Sequence, residues 1–322
     1  MNVKFGVHIE PQLGYTYEQA LAIALEAEKA GYESFWCSDH FFLNEKSAGQ
    51  NCLEAWTLLS ALAANTTKIR LGTMVTCNSY RPPSLLAKIA ASIDMISNGR
   101  LWFGYGAGWK EVEYKAYGYD FPRIQVRMDM MEEALQIIKL LWTESSPTFK
   151  GNHYSIENAF SAPKPVQKPH PPILIGGDGE KRTLKAVAKY ADYCNLFLRP
   201  EFEKKLDVLK SHCKDVGRDY DDVGKSLFAQ GWPGVFVTKD EAELDEHWKK
   251  RAEILNKSVE EVAEYAKVNA PGSWVGYPED LIERFEYLVG LGFDFFQVMF
   301  PGLGADYIKS AQSFSNWIIR RL

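Results

Sequence analysis

A short apolar and aromatic segment, Ser34–Ser38, runs directly into an acid and an imidazole, Asp39 and His40. Apolar runs of this length are typical of buried strands. In parallel α/β proteins, chemically active side chains are placed where such strands end. A carboxylate beside an imidazole can orient and exchange a proton. The segment therefore predicts an acid–base site with His40 as its catalytic candidate, and a purely structural histidine is the alternative.

A second pattern joins the apolar run Ile173–Ile175 to the glycine-rich loop Gly176-Gly177-Asp178-Gly179, where a helix begins. Exposed backbone N–H groups beside a helix N-terminus favour an anion, most often a phosphate. Lys181 and Arg182 would support an anion there, whereas Asp178 and Glu180 would oppose it. The alternative is a tight turn that only requires glycine. We favour the anion site.

Strand-like and helical segments alternate along the whole chain. The predicted strands are Val3–Ile9, Ser34–Ser38, Ile69–Val75, Leu101–Tyr105, Pro172–Ile175, Tyr193–Leu198, Ser226–Val237 and Phe293–Phe300. About eight strand-then-helix units predict a closed (β/α)8 TIM barrel, and apolar strands suit a parallel sheet covered by helices. An open doubly wound sheet is the alternative, but the chain lacks an early Gly-x-Gly-x-x-Gly turn.

The 322 residues are interpreted as one barrel domain, 1–322. Two stretches interrupt the alternation of strands and helices. The first is rich in proline, and a small hairpin is expected there over Thr148–Tyr154. The second is charged and helical. We expect insertions near 144–170 and 232–275.

Composition narrows the possible partners. The net charge is −5, with 46% apolar and 25% charged residues, which argues against nucleic acid and anionic membranes. The five cysteines show neither metal-ligand nor redox spacing, so no metal site is predicted and a reducing, cytoplasmic location is favoured. The beginning of the sequence lacks a signal-peptide pattern, and no stretch is long and apolar enough to span a membrane.

If the barrel is correct, the residues at the carboxyl ends of its strands share one face. That face would carry one imidazole, a few acids, several glycines and much apolar surface, from Glu10, Asp39, His40, Met74–Asn78, Gly106–Trp109, Gly176–Gly179, Leu198, Arg199, Gly231, Trp232, Pro301 and Gly302. A face with so few reactive side chains suggests that a bound cofactor supplies the chemistry for a small-molecule substrate.

Several pieces of the chain, taken in order, resemble the luciferase-like monooxygenase superfamily, and within it the branch that uses the deazaflavin coenzyme F420. They are Ala27–Tyr32, Trp36–His40, Leu71–Thr76, Gly104–Trp109 through Glu113, Tyr117–Tyr119, Glu133–Ile138, Leu141-Trp142, Lys164–Gln167, Pro171–Gly177 and Val275–Glu279. The order and spacing of these pieces are specific for the superfamily, and less so for the cofactor.

The resemblance implies a bacterial luciferase-like TIM barrel with F420, or alternatively FMN, across its mouth. It places a non-proline cis peptide near Met74–Val75 and the cofactor phosphate around Gly176–Gly179. The implied cofactor-binding residues are Asp39, Met74, Val75, Thr76, Gly106, Gly108, Gly176, Gly177, Asp178 and Gly179. His40 becomes the catalytic residue, and Glu10, Trp109 and Trp232 are assigned to the substrate pocket. A homodimer through the barrel helices would also be consistent with the family.

One position departs from the pattern. Some deazaflavin-dependent sugar-phosphate dehydrogenases of this superfamily carry an acid where this chain has Trp109. The resemblance therefore implies hydride transfer between F420 and a substrate more apolar than a sugar phosphate. The alternatives are an FMN-dependent monooxygenase, a non-catalytic flavin- or deazaflavin-binding protein, and a cofactor-free barrel lyase or isomerase, which the scarcity of lysines and paired acids at strand ends disfavours.

Overall fold

The computed structural model describes residues 3–47, 49–199, 201–229, 234–269 and 274–322. Within these ranges, eight parallel strands close into a barrel, each pairing with the next and the eighth with the first. In order, the barrel strands are Lys4–Ile9, Ser34–Cys37, Arg70–Thr73, Leu101–Gly106, Ile173–Gly176, Tyr193–Phe197, Gly224–Ala229 and Phe295–Val298. The predicted (β/α)8 barrel is confirmed, and the open sheet is wrong.

The described ranges also contain eleven α-helices. They are α1 (Tyr17–Ala30), α2 (Ala55–Asn65), α3 (Pro83–Ile96), α4 (Glu111–Ala116), α5 (Ile124–Thr143), α6 (Thr183–Tyr190), α7 (Phe202–Asp215), α8 (Glu241–Leu255), α9 (Val259–Asn269), α10 (Pro278–Gly290) and α11 (Ala305–Phe314). Among these residues, no helix has both the length and the apolar character needed to cross a membrane.

Local sequence signals place the first helix. The Thr16 hydroxyl accepts a hydrogen bond from the Gln19 backbone N–H, and the Gln19 side chain accepts one from the Thr16 N–H. This reciprocal pair satisfies two N–H groups that the first helical turn leaves unpaired. Gly31 ends α1 with a φ of 87°, a conformation that glycine adopts without a steric penalty.

The barrel interior is packed by large side chains that alternate along the strands with outward-facing ones. Trp36 lies inside, and glycines on both neighbouring strands make room for its ring. A Cβ on Gly6 would lie 2.7 Å from the indole nitrogen, and one on Gly72 would lie 2.6 Å from the ring carbons. The interior cluster consists of Trp36, Met74, Trp102, Leu174, Phe228, Phe295 and Met299.

Two predicted strands differ from the structure. The segment Ser226–Val237 is not one strand: the barrel strand ends at Ala229, and Phe236–Val237 instead pairs with Val275–Gly276 outside the barrel. The predicted strand Ile69–Val75 is interrupted at Met74, and pairing with the fourth barrel strand resumes at Thr76–Cys77. The predicted hairpin is present as Phe149–Lys150 paired with Ser155–Ile156.

Candidate active site

A cavity of about 1650 Å³ opens at the carboxyl ends of the barrel strands. Its wall includes every predicted site residue that the structure describes: Glu10, Asp39, His40, Met74, Val75, Thr76, Gly106, Gly108, Trp109, Gly176, Gly177, Asp178 and Gly179. Trp232 lies outside the described residues. The closed barrel therefore brings together residues from five strand ends that are distant in sequence.

His40 borders the cavity, and its imidazole is hydrogen-bonded to a buried carboxylate. Its Nδ1 lies 2.9 Å from Oε2 of Glu113, with the His40 side chain 17% exposed and the Glu113 side chain 0% exposed. The Trp109 ring stands edge-on to the imidazole, with centroids 5.7 Å apart. Because Nδ1 is engaged by Glu113, Nε2 is the nitrogen available to a ligand.

Glu113 accepts hydrogen bonds from three separate segments of the chain. Its Oε1 accepts from the backbone N–H groups of Phe41 and Phe42 and from Lys110, and its Oε2 also accepts from the Tyr80 hydroxyl. Burial raises the pKa of Glu113, but the hydrogen bond and charge of His40, then Tyr80 and Phe41, lower it to about 2. The carboxylate is thus charged at neutral pH and binds the His40 ring through Nδ1.

Glu113 is the functional residue that sequence reasoning missed. It lies on the six-residue helix α4, four residues after Trp109. The signal was present, because the resemblance extends from Gly104 through Glu113. An isolated glutamate in a charged segment is nevertheless usually exposed, and nothing local marks this one as buried.

Asp39 is committed to an ion pair. Both carboxylate oxygens accept from Arg81, each at 2.8 Å, and Oδ2 also accepts from the Cys77 N–H. Arg81 donates further to Glu54. Burial lowers the pKa of Arg81, but the charges and hydrogen bonds of Asp39 and Glu54 raise it above its usual value. Asp39 therefore ties the second strand end to the segment after the third strand, and its contact with a cofactor remains a prediction.

The third strand end projects into the barrel mouth. The Met74–Val75 peptide is cis and non-proline, as the resemblance predicts. Glycines on the fourth and fifth strands accommodate the Val75 side chain, since a Cβ on Gly106 or Gly176 would lie 2.8 or 2.9 Å from its methyl carbons. Val75, Gly106 and Gly176 all line the cavity, and we call this part of its wall the floor.

The glycine-rich loop after the fifth strand also borders the cavity, together with Thr183 at the start of α6. Gly177 has a φ of 122°, and a Cβ on Gly179 would lie 2.8 Å from the Thr183 hydroxyl. Only a loop without side chains lets a ligand approach these N–H groups and the hydroxyl closely.

Three charged residues in and beside this loop form ion pairs with other side chains. Arg182 donates to Asp129 and Glu132 on α5, so its expected support for an anion is not found. Glu180 pairs with Lys205, which removes an expected opponent. Asp178 lies 3.5 Å from Arg199, whose side chain is 63% exposed and lines the cavity. Arg199 is therefore a cation near the loop, and the sequence placed it at a strand end without a predicted role.

In the described part of the chain, no three histidine, cysteine, aspartate or glutamate side chains are grouped so that they could hold a metal ion. The cavity wall contains His40 and Glu10 at strand ends, apolar and glycine surface, and the α8 residues Glu243, Glu246, His247, Lys250 and Arg251. Such a wall can bind a flat ring and exchange protons.

Comparisons with known proteins agree with this geometry. A family model described as luciferase-like monooxygenase matches residues 2–294. An F420-dependent glucose-6-phosphate dehydrogenase of Amycolatopsis mediterranei is 32% identical over 169 residues, or 52% of this chain and 48% of that protein. The pyrimidine monooxygenase RutA of Pseudomonas savastanoi pv. phaseolicola is 31% identical over 183 residues, or 56% of this chain and 46% of that protein. The chain thus spans about half the length of these curated relatives.

A solved structure of an F420-dependent secondary alcohol dehydrogenase, in complex with an F420–acetone adduct, superposes with a TM-score of 0.79. The match covers 99% of this chain and 98% of that one at 22% identity. At this identity the likeness establishes the fold, while the cofactor and substrate of this chain need their own evidence.

Proposed function

The chain belongs to the luciferase-like monooxygenase family, and on that premise we propose that it is an oxidoreductase which transfers a hydride between coenzyme F420 and a small, largely apolar organic substrate. The observation that carries this proposal is the hydrogen-bonded His40–Glu113 pair at the wall of a large cavity formed by the strand ends. One acid–base group beside broad apolar surface suits an enzyme whose redox chemistry comes from a cofactor.

The cavity fits a flat tricyclic cofactor. Val75, Gly106 and Gly176 form the cavity floor, where the ring would lie. The loop Gly176–Gly179 with Thr183 would hold the cofactor phosphate, and Arg199 is the nearby cation. We assign Met74, Thr76 and Gly108 to the same floor, as their places in the cavity wall support.

When bound, the deazaflavin would accept or supply a hydride at its ring carbon. His40 would hold or move the proton that a carbonyl, imine or alcohol must gain or lose as the hydride moves. Glu113 would keep the imidazole oriented through Nδ1. Trp109, whose side chain is 71% exposed, would cover the substrate with an apolar face.

The second candidate is an FMN-dependent monooxygenase, which the likeness to a pyrimidine monooxygenase supports. The cavity floor would hold either ring system, since neither His40 nor the glycines distinguish carbon from nitrogen at the central ring position. A non-catalytic binding protein remains the alternative from another class.

The test is titration of the purified full chain with F420 and with FMN, followed by fluorescence quenching. Tight F420 binding with weak FMN binding is the expected result. Preference for FMN would reject the hydride-transfer proposal in favour of oxygen activation. Binding of neither would remove the cofactor from the proposal altogether.

A further inference from the structure

The cavity wall contains a second histidine–carboxylate pair with the opposite orientation. In the His40–Glu113 pair, the imidazole is partly exposed and the carboxylate is buried. In the other pair, Nε2 of His8 lies 3.1 Å from Oε1 of Glu10, with the His8 side chain 0% and the Glu10 side chain 16% exposed. These two pairs thus present one imidazole, that of His40, and one carboxylate, that of Glu10, to the cavity.

Three side chains donate to Glu10. Besides His8, they are the Ser38 hydroxyl at 2.8 Å from Oε2 and the Gln12 amide on the same oxygen. Burial raises the pKa of Glu10, but the hydrogen bond and charge of His8, then Ser38, lower it to about 2. At neutral pH, Glu10 is therefore a charged group that only accepts hydrogen bonds.

The contacts of His8 determine the position of its ring and which ring nitrogen carries a proton. Its ring packs against Phe228 inside the barrel, with centroids 4.6 Å apart. Its Nδ1 is buried and has no hydrogen-bond partner among the described residues. An unpaired buried N–H is rarer and costlier than an unpaired acceptor. Whether neutral or charged, His8 therefore carries a proton on Nε2 and donates it to Glu10.

We infer that His8 is a positioning residue that holds Glu10 ionised and oriented as the acceptor for a substrate O–H or N–H. The inference rests on the proposed function and narrows its substrate to alcohols, amines and similar donor-bearing molecules. A substrate with a carboxylate or phosphate beside Glu10 would be repelled. His40 borders the same cavity, and its charge also lowers the pKa of Glu10.

The first experiment measures the titration of Glu10 in the full chain by carbon-13 NMR of labelled glutamate carboxyls, with Glu10→Gln identifying the signal. In the natural protein, Glu10 should stay ionised down to about pH 4. In His8→Leu, the lost donor should raise its midpoint by roughly 1–3 pH units. His8→Gln should restore the natural midpoint, because a glutamine amide can donate near the position of Nε2.

Should His8→Leu fail to fold, His8→Asn takes its place, since its shorter amide does not reach Glu10. A natural midpoint in a folded His8→Leu or His8→Asn variant would overturn the role of His8.

The second experiment tests the substrate class without cofactor, using cyclohexanol and cyclohexyl methyl ether as matched ligands. The alcohol donates a hydrogen bond and the ether cannot. Cyclohexanol should shift the Glu10 carboxyl signal in the natural protein, and the ether should not. Equal shifts with both would overturn the acceptor role. Because neither experiment needs F420, failure of F420 binding would reject the proposed function while leaving the Glu10 results intact.

Discussion

The two nitrogens of the His40 ring have different surroundings, and this difference determines what the residue can do. Nδ1 is bound to a buried carboxylate that is charged at neutral pH, while the ring edge borders the cavity. A histidine held in this way presents one nitrogen to a ligand in a single orientation. Asp39, its neighbour in sequence, is occupied by Arg81. The sequence predicted both Asp39 and His40 as site residues. Of these two, His40 is thus the one that can contact a ligand and exchange a proton with it.

Replacing His40 tests its catalytic role. We expect His40→Ala to lower turnover by about 10²–10⁴-fold, the usual contribution of a positioned acid–base group. F420 affinity should stay nearly unchanged, because the floor and the loop are intact. Turnover is followed as the change in F420 absorbance with a panel of secondary alcohols. His153→Ala, at an exposed position, is the matched control. Undiminished turnover in His40→Ala would show that the assignment is wrong.

Replacing Glu113 tests how much its negative charge, bound to His40, contributes to the stability of the fold. Its pKa in the folded protein is about 2, against an ordinary 4.5. Its stabilising effect is therefore complete above pH 4.5 and is lost as the pH falls from 4.5 towards 2. We expect Glu113→Gln to lower the free energy of unfolding by about 2–3 kcal/mol at pH 7 and by less at pH 3.

Urea unfolding at the two pH values measures this difference. Glu111→Gln is the matched control, since Glu111 lies on the same helix in an exposed ion pair with Lys115 and should change stability by less than about 0.5 kcal/mol. An effect of Glu113→Gln that is equally large at both pH values would contradict the proposed charge effect.

At the scale of elements, the sequence predicts those features that local signals specify. Thr16 and Gly31 bound α1 as expected, and the strand before Asp39 and the loop Gly176–Gly179 lie where their patterns indicate. Helix α4 was not predicted, because six residues are too few for a helical period to be recognised.

Features that depend on contacts between distant strands could not be read from the sequence. The interruption of pairing at Met74 follows from the fourth and fifth strands, whose glycines accommodate Val75. The burial of Glu113 likewise depends on donors from Phe41 and Tyr80, more than thirty residues away. His40 and Glu10 were therefore predicted as site residues, whereas their partners Glu113 and His8 were present in the sequence patterns without a predicted role.

The fit of Val75 between glycines can be tested by a double-mutant cycle. A Cβ on Gly106 would lie 2.8 Å from a Val75 methyl carbon, closer than real Cβ contacts. We expect Gly106→Ala to lower the free energy of unfolding by about 1–3 kcal/mol through overpacking. In a Val75→Ala background the same change should cost clearly less, because the clashing methyl groups are gone. Additive effects of the two substitutions would mean that Gly106 and Val75 are not coupled in this way.

At the scale of the whole molecule, the candidate site exists only when the barrel is closed. Glu10, His40, Glu113 and Gly176 come from different strand–helix units, and pairing of the first strand with the eighth completes the ring. A ligand that binds across this mouth contacts a surface that the unfolded chain lacks. Its binding must therefore stabilise the entire fold, whatever the chemistry of the substrate.

This linkage gives a prediction that distinguishes the two cofactors without any substrate. F420 at a free concentration about 100 times its Kd should add about 2.7 kcal/mol to the free energy of unfolding, which for a chain of this length raises Tm by about 4 °C. FMN at the same concentration should raise Tm less.

Gly177→Asp introduces a side chain and a negative charge at a φ of 122° in the phosphate loop, so it should abolish most of the F420 shift. Differential scanning calorimetry measures all three. A larger shift with FMN would favour the monooxygenase alternative, and an undiminished F420 shift in Gly177→Asp would place the cofactor phosphate away from Gly176–Gly179.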